Sequence, residues 1–305
     1  MKVRSVGIFE YADRMSDKKQ AKLPGILKLE TATNEALLVR LLLGQLDLKK
    51  CSGKLVNQRV NYMKLPLATV TRNDALRDIG IVFSNGSNGI DVVRNAIEVD
   101  GYFKRNRKNH SVHEKVLFEL SCYLANKDTS PTTAFAHLYR CLEYMAYSFP
   151  MLYAAKSKNY KGTFSDLKKF FSGDSDGELK FFKKFLNTLF EDEKSTLKYE
   201  FEIVVRLSAP VGSLERDFKS IYRKFPYSFE NSIIRIKFED LLDFFITTRN
   251  RFFHMLVGQG QDNFESIDYD ICEYFSSINP CIINWLSVII QKICAFGFYS
   301  SLSDS

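Results

Sequence analysis

The spacing of apolar residues divides the chain into a mixed N-terminal part and a helical remainder. Residues 2–11 and 78–83 have the pattern of strands, and residues 34–46 that of a short helix. From about residue 111 onward, apolar residues recur every three or four positions, which is the period of amphipathic helices. We therefore predict a mainly α protein, with a small N-terminal α/β or α+β unit over residues 1–110 and a helical bundle over residues 111–305.

The clearest helix start in the second part is Ser130 followed by Pro131. Serine caps the first free N–H groups of a helix, and proline fits the first helical position. This helix is predicted to run to about Tyr147. An irregular insertion is expected near residues 191–237, and a break in the last helix at Pro280. The other predicted helices span residues 113–126, 163–171, 178–190, 237–256 and 269–298.

Composition narrows the class of protein without changing this division. Hydrophobic residues make up 45% of the 305 residues and charged residues 26%, the balance of a soluble globular protein. The 43 basic and 36 acidic residues give a net charge of +7, which suits an anionic partner without requiring one. The six cysteines have no metal-site spacing, so reduced thiols are expected.

The location is predicted to be cytoplasmic, with no membrane association. The N-terminus lacks the apolar core of a signal peptide. Residues 281–299 form a long apolar stretch, but polar side chains interrupt it. We therefore expect a buried helix rather than a membrane span.

The strongest candidate for chemistry lies late in the predicted helix over residues 237–256, where Arg249, Asn250 and His254 interrupt a run of phenylalanines. Asn250 and His254 are four positions apart, about 40° on an ideal helix, whereas Arg249 is about 140° from His254. Histidine can transfer protons near neutral pH, and the planar guanidinium of arginine binds phosphate. These three residues are therefore the leading candidates for a functional site.

Arg249-Asn250-Arg251-Phe252-Phe253-His254 resembles the Arg-x4–6-His motif of the HEPN superfamily, in which a polar residue often follows the arginine. The predicted helix over residues 132–153 is similar to the second helix of several HEPN-like proteins of bacterial defence systems. The resemblance covers roughly residues 111–305. It implies a HEPN-like bundle, usually dimeric, in which two copies of the motif line a cleft that cuts RNA without a metal or other cofactor.

This resemblance implies a metal-independent endoribonuclease acting as a toxin-like or anti-phage defence effector. The RNA 2′-hydroxyl would attack the adjacent phosphorus, leaving a 2′,3′-cyclic phosphate and a 5′-hydroxyl. His254 would transfer protons, Arg249 would stabilise the transition-state charge, and Asn250 would position His254 or a phosphate oxygen. The implied partners are RNA, a second copy in a homodimer, and an antitoxin or a sensor protein.

Basic residues supply candidate RNA contacts. A polar tract is predicted to be an exposed linker that touches phosphates, and Arg251 is a further candidate contact. The predicted contacts in the tract are Lys104, Arg105, Arg107 and Lys108. Lysines also accumulate in the helical part, where they suit a polyanion or form solvated faces. They are Lys156, Lys158, Lys161, Lys168, Lys169, Lys180, Lys183 and Lys184.

Two other functions stay open: a helical module that binds RNA or protein without cutting, and a regulator in a toxin–antitoxin pair. The chain has no P-loop, no GxSxG elbow and no HExxH motif. His110 and His113 are expected to be solvated, and His137 to pack or hydrogen-bond. Arg140 and Glu143 are either partners of the motif or a structural pair.

Overall fold

The computed structural model describes the chain over ten ranges. They are residues 3–13, 28–50, 55–56, 60–63, 101–105, 107–171, 175–204, 228–230, 232–253 and 271–303. These residues are mostly helical with small antiparallel sheets, which confirms the predicted mainly α class. The strand predicted over residues 78–83 lies outside the described ranges.

The first sheet is antiparallel, with its four strands in sequence order. The strand predicted over residues 2–11 is instead a hairpin in its described part, residues 3–11, which turns at Gly7, where φ is +58°. A Cβ at Gly7 would also lie 3.3 Å from the ring of Phe118. Both the positive φ and this close approach therefore favour glycine at the turn. Antiparallel strands with a helix favour the α+β alternative. The strands are β1 (Val3–Val6), β2 (Phe9–Asp13), β3 (Leu46–Lys50) and β4 (Leu55–Val56).

The predicted helix over residues 34–46 is α1 (Asn34–Leu42), which ends earlier than predicted. Its start is capped by Thr33, whose hydroxyl oxygen accepts a hydrogen bond of 3.3 Å from the Ala36 N–H. Its end is set by Gly44, which has φ of +71° and donates its N–H to the Leu41 carbonyl.

The predicted helices beyond residue 110 are present in the described part of the chain. Pro131 is the first residue of its helix, as predicted. Pro150 lies in the first turn of the next helix, where N–H groups have no acceptor within the helix, so it interrupts nothing. The helices are α2 (His110–Asn126), α3 (Pro131–Ala146), α4 (Ser148–Lys156), α5 (Tyr160–Phe171), α6 (Ser175–Leu189), α7 (Lys194–Leu197), α8 (Leu241–Phe253) and α9 (Ile271–Ser303).

The predicted break at Pro280 is wrong, because α9 runs through it without interruption. Proline cannot donate a hydrogen bond to the carbonyl four residues earlier, which belongs to Ser276. Pro280 and Ser276 are both exposed, so water can solvate that carbonyl. Ile278 and Ile282 are completely buried on the opposite side, and their packing holds the helix together.

The predicted insertion near residues 191–237 contains a second antiparallel sheet with strand order β5-β7-β6. Alternate residues of its strands are buried, as expected for a sheet with one face on the core. Its Phe201 ring stacks 6.1 Å from Phe238, whose carbonyl accepts a hydrogen bond of 3.0 Å from the Trp285 indole. The strands are β5 (Glu200–Val204), β6 (Ser228–Glu230) and β7 (Ile233–Lys237).

The chain forms two compact units that are discontinuous in sequence. This grouping differs from the predicted boundary at residue 110, because α3 and α9 contribute residues to both units. The first unit consists of residues 1–126, 140–145 and 286–305, and the second of residues 127–139 and 146–285.

One described helix, over Ile271–Phe296, is long and apolar enough to cross a membrane by length and composition. Its most apolar window is 83% buried inside the protein. Burial of that extent is typical of a core helix, which agrees with the predicted buried C-terminal helix. The cytoplasmic location stays a prediction.

Candidate functional site

The motif residues Arg249 and Asn250 lie in the last turns of α8. This helix is amphipathic, and its buried face packs into the core of the second unit. Arg249 and Asn250 lie beside that face and are both half-buried. They therefore border the core while part of each residue stays accessible to solvent. The buried residues are Leu241, Leu242, Phe244, Phe245, Thr248 and Arg251.

The guanidinium of Arg249 is held by two contacts. Its central carbon lies 4.8 Å from the centre of the Tyr139 ring on α3, a cation–π contact. Its Nη1 donates a hydrogen bond of 3.0 Å to the side-chain oxygen of Asn250. The Tyr139 ring itself meets the Phe245 ring edge-on at 5.5 Å. The support beneath Arg249 is thus anchored in the core.

Within the described ranges, no carboxylate lies within ion-pair distance of Arg249; its side-chain contacts are a neutral ring and a neutral amide. Among the described residues, the positive charge is therefore held in position by neutral groups alone. Such a guanidinium can bind a phosphate oxygen or a developing negative charge without first breaking an ion pair.

The C-terminal end of α8 is pinned by aromatic contacts. The Phe253 ring stacks on Phe135 of α3 at 6.1 Å, and the Phe252 ring meets Phe275 of α9 at 4.9 Å. His254, the third predicted catalytic residue, lies outside the described residues. The structure thus brings Arg249 and Asn250 together, and the role of His254 stays a prediction.

The position of Arg251 disfavours the prediction that it contacts RNA. Its side chain is buried, with 8% of its surface exposed. The reason lies in the helical period, because Arg251 is three positions beyond the completely buried Thr248 and seven beyond Phe244, which places it on the core face. A buried guanidinium on this face is not available to a polyanion in solution.

The predicted basic tract is structured, so its description as a linker is also wrong. Residues 101–105 are helical, and Arg107–Asn109 form a 3₁₀ turn that leads into α2. Lys104, Arg105 and Lys108 are exposed, as an RNA contact requires, and the backbone of Arg107 lies in the turn. The tract belongs to the first unit, whereas Arg249 and Asn250 belong to the second.

The expectation that His110 and His113 are solvated is corrected by a cluster in the first unit. The Glu35 carboxylate is almost completely buried and lies 2.8 Å from Nδ1 of His113 and 3.2 Å from Nδ1 of His110. Burial raises the pKa of Glu35, but the hydrogen bond and charge of His113 and the charge of His110 outweigh burial, so the pKa is below its usual value. The pairing joins residues 78 positions apart, so no local sequence signal predicts it.

The contact of Arg140 favours a structural pair over the alternative, a partner of the motif. Its Nε lies 3.1 Å from the carboxylate of Glu119, a buried residue of α2. Glu143 is exposed. The contact of Arg249 that the sequence did not reveal is the one with Tyr139, because only the packing of α3 against α8 brings this ring under Arg249.

Comparison with protein-family models, curated proteins and solved structures finds no match to this chain. The HEPN resemblance therefore rests on the motif residues and on the helical context described above.

Proposed function

We propose that this chain is a metal-independent endoribonuclease of the HEPN type. The observation that carries the proposal is the guanidinium of Arg249, which two neutral groups of the described part of the chain, the Tyr139 ring and the Asn250 amide, hold at the end of a core helix. A phosphodiester passing to its transition state gains negative charge on the phosphoryl oxygens. A guanidinium already held in place stabilises that charge without reorganising first.

In the proposed mechanism the RNA supplies its own nucleophile. The 2′-hydroxyl attacks the adjacent phosphorus, and the bond to the 5′-oxygen of the next nucleotide breaks. The products are a 2′,3′-cyclic phosphate and a 5′-hydroxyl. His254 moves the proton, because imidazole titrates near neutral pH. Asn250 steadies Arg249 through the hydrogen bond in the structure and positions His254 or a phosphate oxygen.

The test is incubation of the purified chain with end-labelled RNA in the presence of EDTA. We expect cleavage with cyclic-phosphate ends, and no cleavage of RNA that carries 2′-O-methyl at the scissile position. His254→Ala should lower the rate by about 10²–10⁴-fold. His137→Gln, a histidine change on α3 in the same unit, is the matched control and should leave the rate unchanged. Products with a 3′-hydroxyl, or full activity of His254→Ala, would contradict the mechanism.

The proposed assembly is a homodimer, in which a second copy of the motif completes the cleft, and its place in the cell is that of a toxin-like or anti-phage effector with an antitoxin or sensor partner. Mass measurement in solution tests the assembly. A fully active 35.2 kDa monomer would contradict it.

The alternative function is a module that binds RNA without cutting it. The exposed basic side chains of Lys104, Arg105 and Lys108 favour RNA binding in either case. The two functions differ in their response to Arg249→Ala, which abolishes cutting in the first and is tolerated in the second. Binding without cleavage under all conditions would select the alternative.

A further inference from the structure

The outer face of α5 exposes three aromatic rings to solvent. Tyr160, Phe164 and Phe171 are 89%, 70% and 65% exposed. Taking about 100° per residue, the three lie within about 40° of one another around the helix, and with a rise of 1.5 Å per residue they extend over about 16 Å. Several large aromatic rings exposed on one face of a helix are unusual on a protein surface and indicate a binding site.

The inner face of α5 is fully used for packing, so the exposed row is not a poorly packed core. The Phe170 ring lies 4.5 Å from Phe181 of α6. Asp166 accepts hydrogen bonds of 2.8 Å from the Tyr153 hydroxyl and 2.5 Å from Lys184 Nζ. These contacts fix α5 against α4 and α6, leaving the aromatic row on a rigid support.

The same face carries positive charge. Residues 148–171 contain five lysines and a single acidic residue, Asp166, which is engaged on the inner face. Lys161 and Lys168 are exposed and lie about 80–100° around the helix from Tyr160, directly beside the aromatic row. Lys158 is exposed just before the helix begins. Lysines therefore border the rings, and no carboxylate does so on this helix.

We propose that this outer face of α5, formed by Tyr160, Phe164 and Phe171 with Lys161 and Lys168, binds single-stranded RNA. Unpaired bases would stack on the rings, and the phosphates would contact the lysines. This combination of ring faces and a basic border is what sequence-tolerant binding of single strands uses. The proposal rests on the proposed function, since it states how the substrate of that function is held.

Charge argues against a second copy of the chain as the occupant. A two-fold contact through this face would bring Lys161 and Lys168 of one copy close to the same lysines of the other. Like charges placed together at an interface oppose association. A polyanion gains from the same lysines by releasing its counterions.

The test measures binding of the full chain to a short 5′-fluorescein-labelled single strand of 2′-O-methyl RNA by fluorescence anisotropy over a range of salt concentrations. Phe164→Leu keeps an apolar side chain but removes the ring face, and it should weaken binding about 10-fold without changing the salt slope. Phe164→Trp should bind at least as well as the original chain. Lys161→Ala and Lys168→Ala should each flatten the slope by about 0.7.

Matched controls lie outside this face. Ile8→Ala changes an exposed apolar residue of the first unit, and Lys198→Ala an exposed lysine of the second; neither should alter binding. The same RNA in duplex form should bind more weakly, because its base faces are covered. Circular dichroism checks that the variants remain folded, which is expected because the changed side chains are exposed.

Two results of the binding experiment would overturn the inference. One is unchanged RNA affinity for Phe164→Leu together with unchanged slopes for both lysine variants. The other is a change of Phe164→Leu from dimer to monomer that accounts for any loss of binding, since the face would then join two copies. Cleavage of unmodified RNA is measured separately. Cleavage without dependence on α5 contradicts this inference alone, and α5-dependent binding without cleavage contradicts only the proposed function.

Discussion

Each unit contains a firmly held arginine, and the two arginines differ in the charge of the groups that hold them. Arg40 of the first unit is buried and lies 2.5 Å from the carboxylate of Asp13, also buried. Arg249 of the second unit is half-buried and rests on the Tyr139 ring and the Asn250 amide, with no carboxylate among the described residues to balance it. Both side chains are held firmly, Arg40 by a carboxylate and Arg249, within the described residues, by neutral groups.

The contrast shows that the charge of an arginine's partner indicates better than burial whether that arginine can attract an anion. The two charges of a buried ion pair neutralise each other. Removing either member leaves the other charge in a medium of low dielectric constant. An arginine held by neutral groups keeps its attraction for anions. The two sites should therefore fail differently when mutated, one in stability and the other in activity.

The largest expected effect is on the stability of the first unit. Asp13→Ala removes the buried carboxylate that lies against Arg40, and it should lower the free energy of unfolding by about 3–5 kcal/mol. Urea unfolding measures this loss. The double variant Asp13→Leu with Arg40→Met removes both charges and should recover most of it. A loss below about 1 kcal/mol, the usual range of a surface pair, would erase the proposed difference between the two arginines.

The second prediction is the converse, a loss of activity without a loss of stability. Arg249→Lys keeps the charge but not the planar fork, and it should lower the RNA cleavage rate by about 10²–10³-fold. The melting temperature should change little, because the side chain is half-buried and is held by neutral groups in the described part of the chain. Equal cleavage by Arg249→Lys would show that Arg249 acts as a simple point charge.

A third prediction concerns the buried carboxylate of Glu35. Glu35→Gln loses the charge-assisted hydrogen bond with His113 and the electrostatic contact with His110, and it should lower the free energy of unfolding by about 1–3 kcal/mol at neutral pH. Because the pKa of Glu35 is below its usual value in the folded chain, its contribution is present above the unfolded-state pKa of about 4.3 and is lost as pH falls through the lower folded value. Unfolding curves of the two proteins should therefore converge below about pH 4. Parallel curves throughout this range would rule out an ionised Glu35.

The smallest expected effect tests the ring beneath Arg249. Tyr139→Leu removes the cation–π contact, worth about 0.5–2 kcal/mol, and should slow cleavage by about 2- to 30-fold. Tyr139→Phe keeps the ring face and should retain the rate. The paired comparison distinguishes positioning of Arg249 from a direct role of the tyrosine hydroxyl, which would make Tyr139→Phe as slow as Tyr139→Leu.

The sequence predicted what depends on neighbouring residues. The start of α3 at Pro131 follows from local capping chemistry, and the closeness of Arg249 to Asn250 follows from their adjacency. Contacts between residues that are far apart in the sequence could not be predicted from it. Tyr139 and Arg249 are brought together only by helix packing, and the two arms of the Glu35 cluster only by the fold of the first unit. Pro280 shows the opposite failure, because packing of the buried isoleucines overrides a local helix-breaking preference.

Because α9 continues without interruption through Pro280, it joins residues of both units in one helix. This limits how the chain can be divided during evolution. Its residues up to Trp285 complete one unit, and those from Leu286 onward complete the other. No single cut in the polypeptide therefore yields an intact unit, so neither is a module that recombination can move elsewhere by itself. The binding and chemical functions proposed for this chain are expected to be gained, lost and transferred together.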